Sequence, residues 1–162
     1  MIIKPLALHD RDKIYRIICQ WKIFTAQEIQ VAMELVDEAL HYPEKKDYLI
    51  YCTASTTGEL TGYICFGPVP MTEHCYDIYW IAVDEKFSRK GIAGELLEFM
   101  EKFVSEKHGK QVYIDTSSTQ AYEAARSFYQ KHGYRLMCVL DDFYRQGDHK
   151  MIFRKDLLGG GG

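Results

Sequence analysis

Residues 76–94, YDIYWIAVDEKFSRKGIAG, restrict what this chain can fold into more than any other stretch. The apolar run Asp77 to Val83 has the length and composition of a strand, and it meets a basic, glycine-containing turn. Beyond the turn, Ile92, Leu96, Phe99, Met100 and Phe103 recur at helical spacing. The spacing predicts a helix from Gly91 to about His108, with Gly109 as its C-terminal stop. A helix that opens with Gly91, Ile92, Ala93 and Gly94 has several backbone N–H groups ahead of its first intrahelical bond. Aligned peptide dipoles add partial positive charge there, and small residues let an anion reach the main chain. Arg89 and Lys90 add two full charges just before the opening. A lone glycine at a turn often only relieves backbone strain. Strand before and helix after is the context in which such a turn cradles a pyrophosphate.

The same periodicities organise the rest. Ile2 to Pro5 reads as a short strand, and Ile14, Ile17 and Ile18 place a helix over His9–Gln20. Thr25 and Glu28 form a capping box that opens a second helix, whose stripe Ile29, Ala32, Val36, Ala39 and Leu40 runs to Tyr42-Pro43. Tyr48 to Ala54 and Leu60 to Phe66 make a hairpin about Ser55–Gly58, and Gly67-Pro-Val-Pro70 ends its second strand. Val112 to Thr116 is a strand, and Thr119 or a neighbour caps a fourth helix stopped by Gly133. Tyr134 to Leu140 and Lys150 to Phe153 close the pattern around a Gln146-Gly147-Asp148 turn. The order is strand, two helices, three strands, helix, strand, helix, two strands. It implies an α/β protein built on one mixed sheet with helices on its faces.

At 162 residues the chain fits a single domain over 1–158, followed by a flexible tail, Gly159–Gly162. The net charge of −3 supplies no global field toward nucleic acid or acidic membranes, so anion binding rests on a local site. No apolar run approaches ~20 residues and the N-terminus lacks a signal-peptide layout, so no membrane partner and a cytoplasmic location are expected. Cys19, Cys52, Cys65, Cys75 and Cys138 are odd in number and scattered, the pattern of reduced core thiols. No paired spacing suits a metal, so none is expected.

With SRKGIAGELL after VDEKF, and AARSFYQKHGY further on, the chain resembles the GNAT superfamily of acetyl-CoA-dependent N-acetyltransferases. The likeness covers nearly the whole chain. The family signature is Gln or Arg, two residues, Gly, one residue, then Gly or Ala. Gly91 and Ala93 match it, while Ser88 stands at the Gln/Arg position and Arg89 follows one place later. Ala125, Tyr129 and Gly133-Tyr134 fall on the family's second pattern, with Tyr122 where many members carry Asn. The resemblance implies a splayed sheet of about 6–7 strands with about 4 helices, acetyl-CoA as cosubstrate, and a homodimer. It implies that the backbone of Ile81, Ala82 and Val83 pairs with the pantetheine arm. Ser88, Arg89, Lys90, Gly91, Ile92, Ala93 and Gly94 would hold the pyrophosphate, and Ser118, Tyr122 and Tyr129 would complete the cofactor contacts.

Acetyl transfer to an amine needs a neutral amine, a polarised thioester and a proton for the departing thiolate. Asp77 stands six residues before Val83, where the histone-acetylating branch of the family has its Glu. It is the candidate base or amine-orienting group; the alternative is a structural strand-end carboxylate. Glu28 and Glu34 are weaker candidates for attracting a cationic substrate, because acidic residues on amphipathic helices are usually the solvated face. Tyr129 matches the family's leaving-group acid; spacing alone fits core packing with Tyr122 and Ala125. An N-acetyltransferase acting on a small molecule or peptide amine is the leading function. The alternative is a catalytically weak acyl-CoA-binding sensor of the same fold.

Overall fold

The computed structural model describes residues 1–158; the predicted Gly159–Gly162 tail lies outside the described residues. The strands are β1 (Ile2–Pro5), β2 (Leu49–Ala54), β3 (Leu60–Pro68), β4 (Cys75–Val83), β5 (Gln111–Ser117), β6 (Arg135–Arg145) and β7 (Asp148–Asp156). The helices are α1 (Arg11–Gln20), α2 (Ala26–His41), α3 (Ile92–Glu106) and α4 (Glu123–Lys131). The strands form one open mixed sheet in the order β1-β2-β3-β4-β5-β7-β6. β4 and β5 pair in parallel, while β1–β2, β2–β3, β5–β7 and β6–β7 are antiparallel. That is the mixed sheet with four helices that the sequence implies.

The chain divides into two compact units. The first comprises Met1–Pro68 and Ile78–Phe103. Its core joins Ile14, Ile17 and Ile18 of α1 and Ala32, Met33 and Val36 of α2 to Ile50, Cys52, Leu60, Tyr63 and Cys65 of the β2–β3 hairpin. The Thr25 capping box forms as read: Glu28 N–H donates to Thr25 Oγ1 (3.1 Å) and Thr25 N–H to Glu28 Oε2 (2.6 Å). The first helix begins two residues later than its pattern suggests. Leu8–Asp10 form a 3-10 turn because Asp10, almost fully buried, accepts from Lys4 Nζ (2.5 Å) and from Ala7 N–H (3.0 Å). β3 continues past Gly67 to Pro68, where the sequence ends it earlier. A Cβ on Gly67 would lie 2.0 Å from Asp47 O, so only glycine lets the strand pass that carbonyl.

The second unit comprises Val69–Asp77 and the chain from Val104 onward. β5 pairs with β4 over three residues only, Cys75↔Gln111, Tyr76↔Val112 and Asp77↔Tyr113, and with β7 along its full length. Thr119 precedes a second 3-10 turn (Gln120–Tyr122), so α4 starts at Glu123 and Thr119 donates no cap to it. Its hydroxyl lies 2.8 Å from Ser117 Oγ instead. β6 and β7 run well beyond their predicted ends, joined by the Gln146–Gly147 turn with Gly147 at φ +82°.

The end of α3 revises one expectation. His108, at φ +65°, takes the left-handed position, and Gly109 N–H returns to Val104 O (2.8 Å). Gly109 is needed for space, since a Cβ there would stand 2.2 Å from Val104 Cγ1 and 2.9 Å from Tyr76 Cε2. Gly109→Ala is therefore expected to lower stability by about 1–3 kcal/mol through overpacking. His108→Gly should raise it by up to about 1 kcal/mol by relieving left-handed strain. Urea unfolding midpoints check both, and a glycine serving as the left-handed cap would leave His108→Gly neutral or destabilising.

Candidate active site

The turn between β4 and α3 belongs to the first unit. Asp84 N–H donates to Thr61 O (2.9 Å), and the Asp84 carboxylate accepts from Lys86 N–H (2.9 Å), starting a 3-10 turn over Glu85–Phe87. Ser88 is extended, and then the backbone turns left-handed at Arg89 (φ +61°) and again at Gly91 (φ +81°). A non-glycine residue at such a φ is uncommon and concentrates at functional turns. Glu95 N–H is the first to bond back, to Gly91 O at 3.0 Å. Helix geometry therefore leaves the N–H groups of Ile92, Ala93 and Gly94 ahead of the ladder. A Cβ built on Gly91 meets nothing within 4 Å, so this side of the turn is open. Lys86 Nζ pairs with Glu59 (3.0 Å) and rests 5.7 Å from the Phe87 ring centre, and Lys90 Nζ rests 5.1 Å from the same ring.

Two supports escaped the sequence reading. Trp21 Nε1 donates to Val83 O (2.9 Å), while Gln20 accepts from Glu85 N–H (3.0 Å) and reaches Asp84 Oδ2 (3.3 Å). Gln20 ends α1 and Trp21 follows it as the C-cap, and together they pin the junction of β4 with the turn. No periodicity marks them, because their partners lie more than sixty positions away along the chain. Asp84 N–H faces β3, so strand alternation turns the main-chain groups of Ile81 and Val83 to the opposite edge. Ala82 turns toward β3, and its carbonyl leaves only 3.0 Å for a Cβ on Gly62. Of the three residues expected along the pantetheine arm, Ile81 and Val83 present free-edge backbone, with Val83 O already held by Trp21.

Asp77 and Tyr129 belong to the second unit. Asp77 ends the short β4–β5 ladder and is half-buried. Burial raises its pKa above the usual carboxylate value, and the Asp115 charge raises it further, while Lys150 pulls the other way. Lys150 Nζ bonds Asp115 Oδ2 at 3.2 Å and stands 4.5 Å from the centre of the Phe143 ring. Asp115 and Lys150 were not singled out in the sequence. The signal was the two-residue period of β5, which puts Asp115 on the same face as Tyr113, the register partner of Asp77.

Tyr129 is 4% exposed, edge-on to Phe128 (5.3 Å) and Tyr134 (5.6 Å). Burial pushes its phenol well above the ordinary range, so it stays protonated at neutral pH. Tyr122 is the half-buried residue preceding α4. Ser118 is bonded to β7 on both sides, its N–H to His149 O (2.9 Å) and its hydroxyl accepting from His149 N–H (2.8 Å). Arg126, also missed, donates to Ser117 O (2.7 Å) and Thr119 O (2.8 Å) and fixes the turn that carries Ser118.

Other sequence candidates take structural places. Glu28 serves the capping box, and exposed Glu34 accepts from Gln30 (3.0 Å) on the same helix. Buried Cys52 has its thiol pushed up to about 12 by burial, and burial moves Cys65 in the same direction, so neither is a thiolate nucleophile at neutral pH. All five cysteines are free. Among the described residues no cluster of His, Cys, Asp or Glu could hold a metal ion, and no helix is long and apolar enough to cross a membrane.

A mixed sheet whose fourth strand feeds a left-handed turn into a helix N-terminus with free amides has the makings of an anion-binding site. The sequence pattern of the Acetyltransferase (GNAT) family matches residues 12–134, and the chain belongs to that family. Among solved structures it is similar to a GNAT-family protein from Desulfovibrio desulfuricans. The two share 33% identity over 96% of this chain and 98% of the other, with a TM-score of 0.91. The fold also matches a ribosomal-protein-S18-alanine N-acetyltransferase from Escherichia coli at 16% identity, covering 99% and 96% of the two chains, with a TM-score of 0.77. An aminoglycoside 6'-N-acetyltransferase complexed with coenzyme A matches at 16% identity over 100% of both chains, with a TM-score of 0.75. No curated protein matches by sequence.

Gly91→Val fills the open face of the turn and forces a β-branched residue to positive φ. The fold should persist at a cost of about 1–2 kcal/mol, while affinity for CoA falls by about 10²-fold, the worth of one or two charge-assisted hydrogen bonds. Calorimetric titration checks this, and unchanged affinity would remove the turn from cofactor binding.

Proposed function

We propose that residues 1–158 act as an acetyl-CoA-dependent N-acetyltransferase domain that moves an acetyl group to a primary amine of a small molecule or peptide. The observation that carries this reading is the pair of left-handed residues, Arg89 and Gly91, at the opening of α3 in a chain of this family. Ser88, Arg89 and Lys90 and the amides from Gly91 to Gly94 hold the pyrophosphate. The free-edge backbone of Ile81 and Val83 pairs with the pantetheine arm beside Ala82. Ser118 and Tyr122 supply further cofactor contacts. Relatives of the same fold include proteins named for acetylating an aminoglycoside and a protein's alanine, and one of them carries coenzyme A. Five free cysteines suit the reducing cytoplasm.

The amine nitrogen attacks the thioester carbonyl directly, and the C–S bond breaks as the C–N bond forms. Asp77, with its raised pKa, draws the acceptor's ammonium and takes its proton through water. Tyr129, held protonated by burial, donates a hydrogen bond or proton to the departing thiolate. No covalent enzyme intermediate is needed, which suits the high thiol pKa values of Cys52 and Cys65.

The direct test is release of free CoA from acetyl-CoA across amino acids, polyamines, aminoglycosides and N-terminal peptides. At least one class should turn over. Tight CoA binding with no turnover on any amine would favour the acyl-CoA sensor instead.

With an accepted amine, Asp77→Asn should retain acetyl-CoA affinity and lose about 10²-fold in kcat/KM, and Tyr129→Phe should lose roughly 10- to 10³-fold in kcat. The wild-type acid limb should lie above the range of an ordinary carboxylate and vanish in Asp77→Asn. The fold favours protonated Asp77, so this group's contribution to stability falls as pH rises from 3.8 to its raised folded value and is constant above. Asp77→Asn should therefore melt higher than wild type at pH 7, relative to their difference at pH 3. An unaltered pH–rate profile would exclude Asp77 as the base.

A further inference from the structure

The β6–β7 hairpin is tied together at one histidine. Asp142 N–H donates to His149 Nδ1 (2.8 Å), so Nδ1 is bare and the ring carries its proton on Nε2. Two carboxylate oxygens stand just beyond hydrogen-bond reach of the same nitrogen, Asp142 Oδ1 at 3.7 Å and Asp141 Oδ1 at 3.9 Å. One ring atom thus meets a donor that needs it unprotonated and two acceptors that would welcome a proton on it. We propose that His149 is a proton-operated latch of the hairpin. On taking up a proton at Nδ1 it releases the Asp142 amide and draws in the Asp141 and Asp142 carboxylates, so the hairpin changes shape between neutral and mildly acidic pH.

The surroundings decide which side of the contact yields. The backbone of His149 is anchored, its N–H donating to Ser118 Oγ (2.8 Å) and its carbonyl accepting from Ser118 N–H (2.9 Å). Beside it, buried Asp148 accepts from Ser117 Oγ (2.5 Å), and Arg126 holds the same turn through Ser117 O and Thr119 O. β6 is the looser partner. Its register against β7 is irregular between Leu140 and Arg145, and Asp142 lies at a left-handed φ of +53°. A non-glycine residue keeps such an angle only where its surroundings hold it. Two bonds hold it here, the Asp142 amide on His149 and the Asp142 carboxylate on Gly147 N–H (2.7 Å). Protonation removes the first outright, because a charged imidazole has no acceptor. It sets a competitor against the second, because the new N–H and Gly147 N–H converge on Asp142 Oδ1. Asp141, with its side chain 85% exposed, can turn in from solvent, and the His149 ring is itself 35% exposed and open to protons. Other charges on these elements are engaged elsewhere. Arg145 stands opposite Asp148 in the ladder, Lys150 is bonded to Asp115 on β5, and Arg126 to main-chain carbonyls. The inference is independent of the catalytic reading, since it needs neither acetyl-CoA nor an acceptor amine.

Imidazole-nitrogen and backbone-amide NMR from pH 8 to 5, the span over which histidines change charge, test it. At pH 8 His149 should show a bare Nδ1 and a protonated Nε2. As the ring charges, the Asp142 amide should move upfield. Its hydrogen-exchange protection, corrected for the intrinsic effect of pH, should fall about tenfold, the effect of losing one hydrogen bond. The Gly147 amide should shift over the same pH range, while the Ser118 amide keeps its protection. His149→Gln retains an acceptor but cannot be charged, so its hairpin should ignore pH. The pair Asp141→Asn and Asp142→Asn keeps an acceptor for Gly147, tolerates positive φ and removes both charges, and should push the amide changes to lower pH. Melting curves confirm that the variants are folded. A proton on Nδ1 at pH 8, a ring still neutral at pH 5, an Asp142 amide that ignores the charging of the ring, or an unchanged pH response in His149→Gln would each overturn the proposal.

Discussion

The left-handed backbone at Arg89 and Gly91 turns the chain from β4 into α3 so that the helix opens with its amides unencumbered. Its neighbours serve that turn. Trp21 fixes the last carbonyl of β4, Gln20 fixes the first residues after it, and Asp84 ties the junction to β3 through Thr61. An αL residue other than glycine is costly, and the price is met by packing that over-determines the loop. Were Arg89 to relax toward an ordinary φ, the start of α3 would no longer face the end of β4, and the concentration of donors and positive dipole would be dispersed.

In the second unit the controlling effect is desolvation. Asp77 and Tyr129 are both shifted toward their protonated forms by burial, but with different consequences. The tyrosine, almost fully buried, keeps its proton under all ordinary conditions and suits donation. The carboxyl is only half-buried; burial and the Asp115 charge raise it above the usual carboxylate value, while Lys150 pulls the other way. Lys150 is itself a primary ammonium held by a carboxylate and an aromatic ring.

The elements that repeat a local pattern were legible in the sequence: the α2 capping box, the α3 stripe, the strand ahead of the turn, and the glycine-containing turn that opens α3. Where the reading fell short, long-range packing decided. Gly67 and Gly109 are required by approaching atoms rather than by backbone angle, and nothing local announces that a carbonyl or a valine stands in the way. The delayed start of α1 depends on Asp10 reaching back to Lys4 and Ala7. Gln20, Trp21, Asp115, Arg126 and Lys150 act through partners on other elements. The full length of β6 was hidden because exposed edge strands carry no clean alternation.

Backbone amide NMR during titration with CoA, with pantetheine as the control lacking pyrophosphate, reaches the central claim most directly. CoA should move the Gly91, Ile92, Ala93 and Gly94 amide resonances strongly downfield as their N–H groups take up phosphate oxygens, and pantetheine should leave them in place. Saturation with CoA while those four amides stay unmoved would contradict the account.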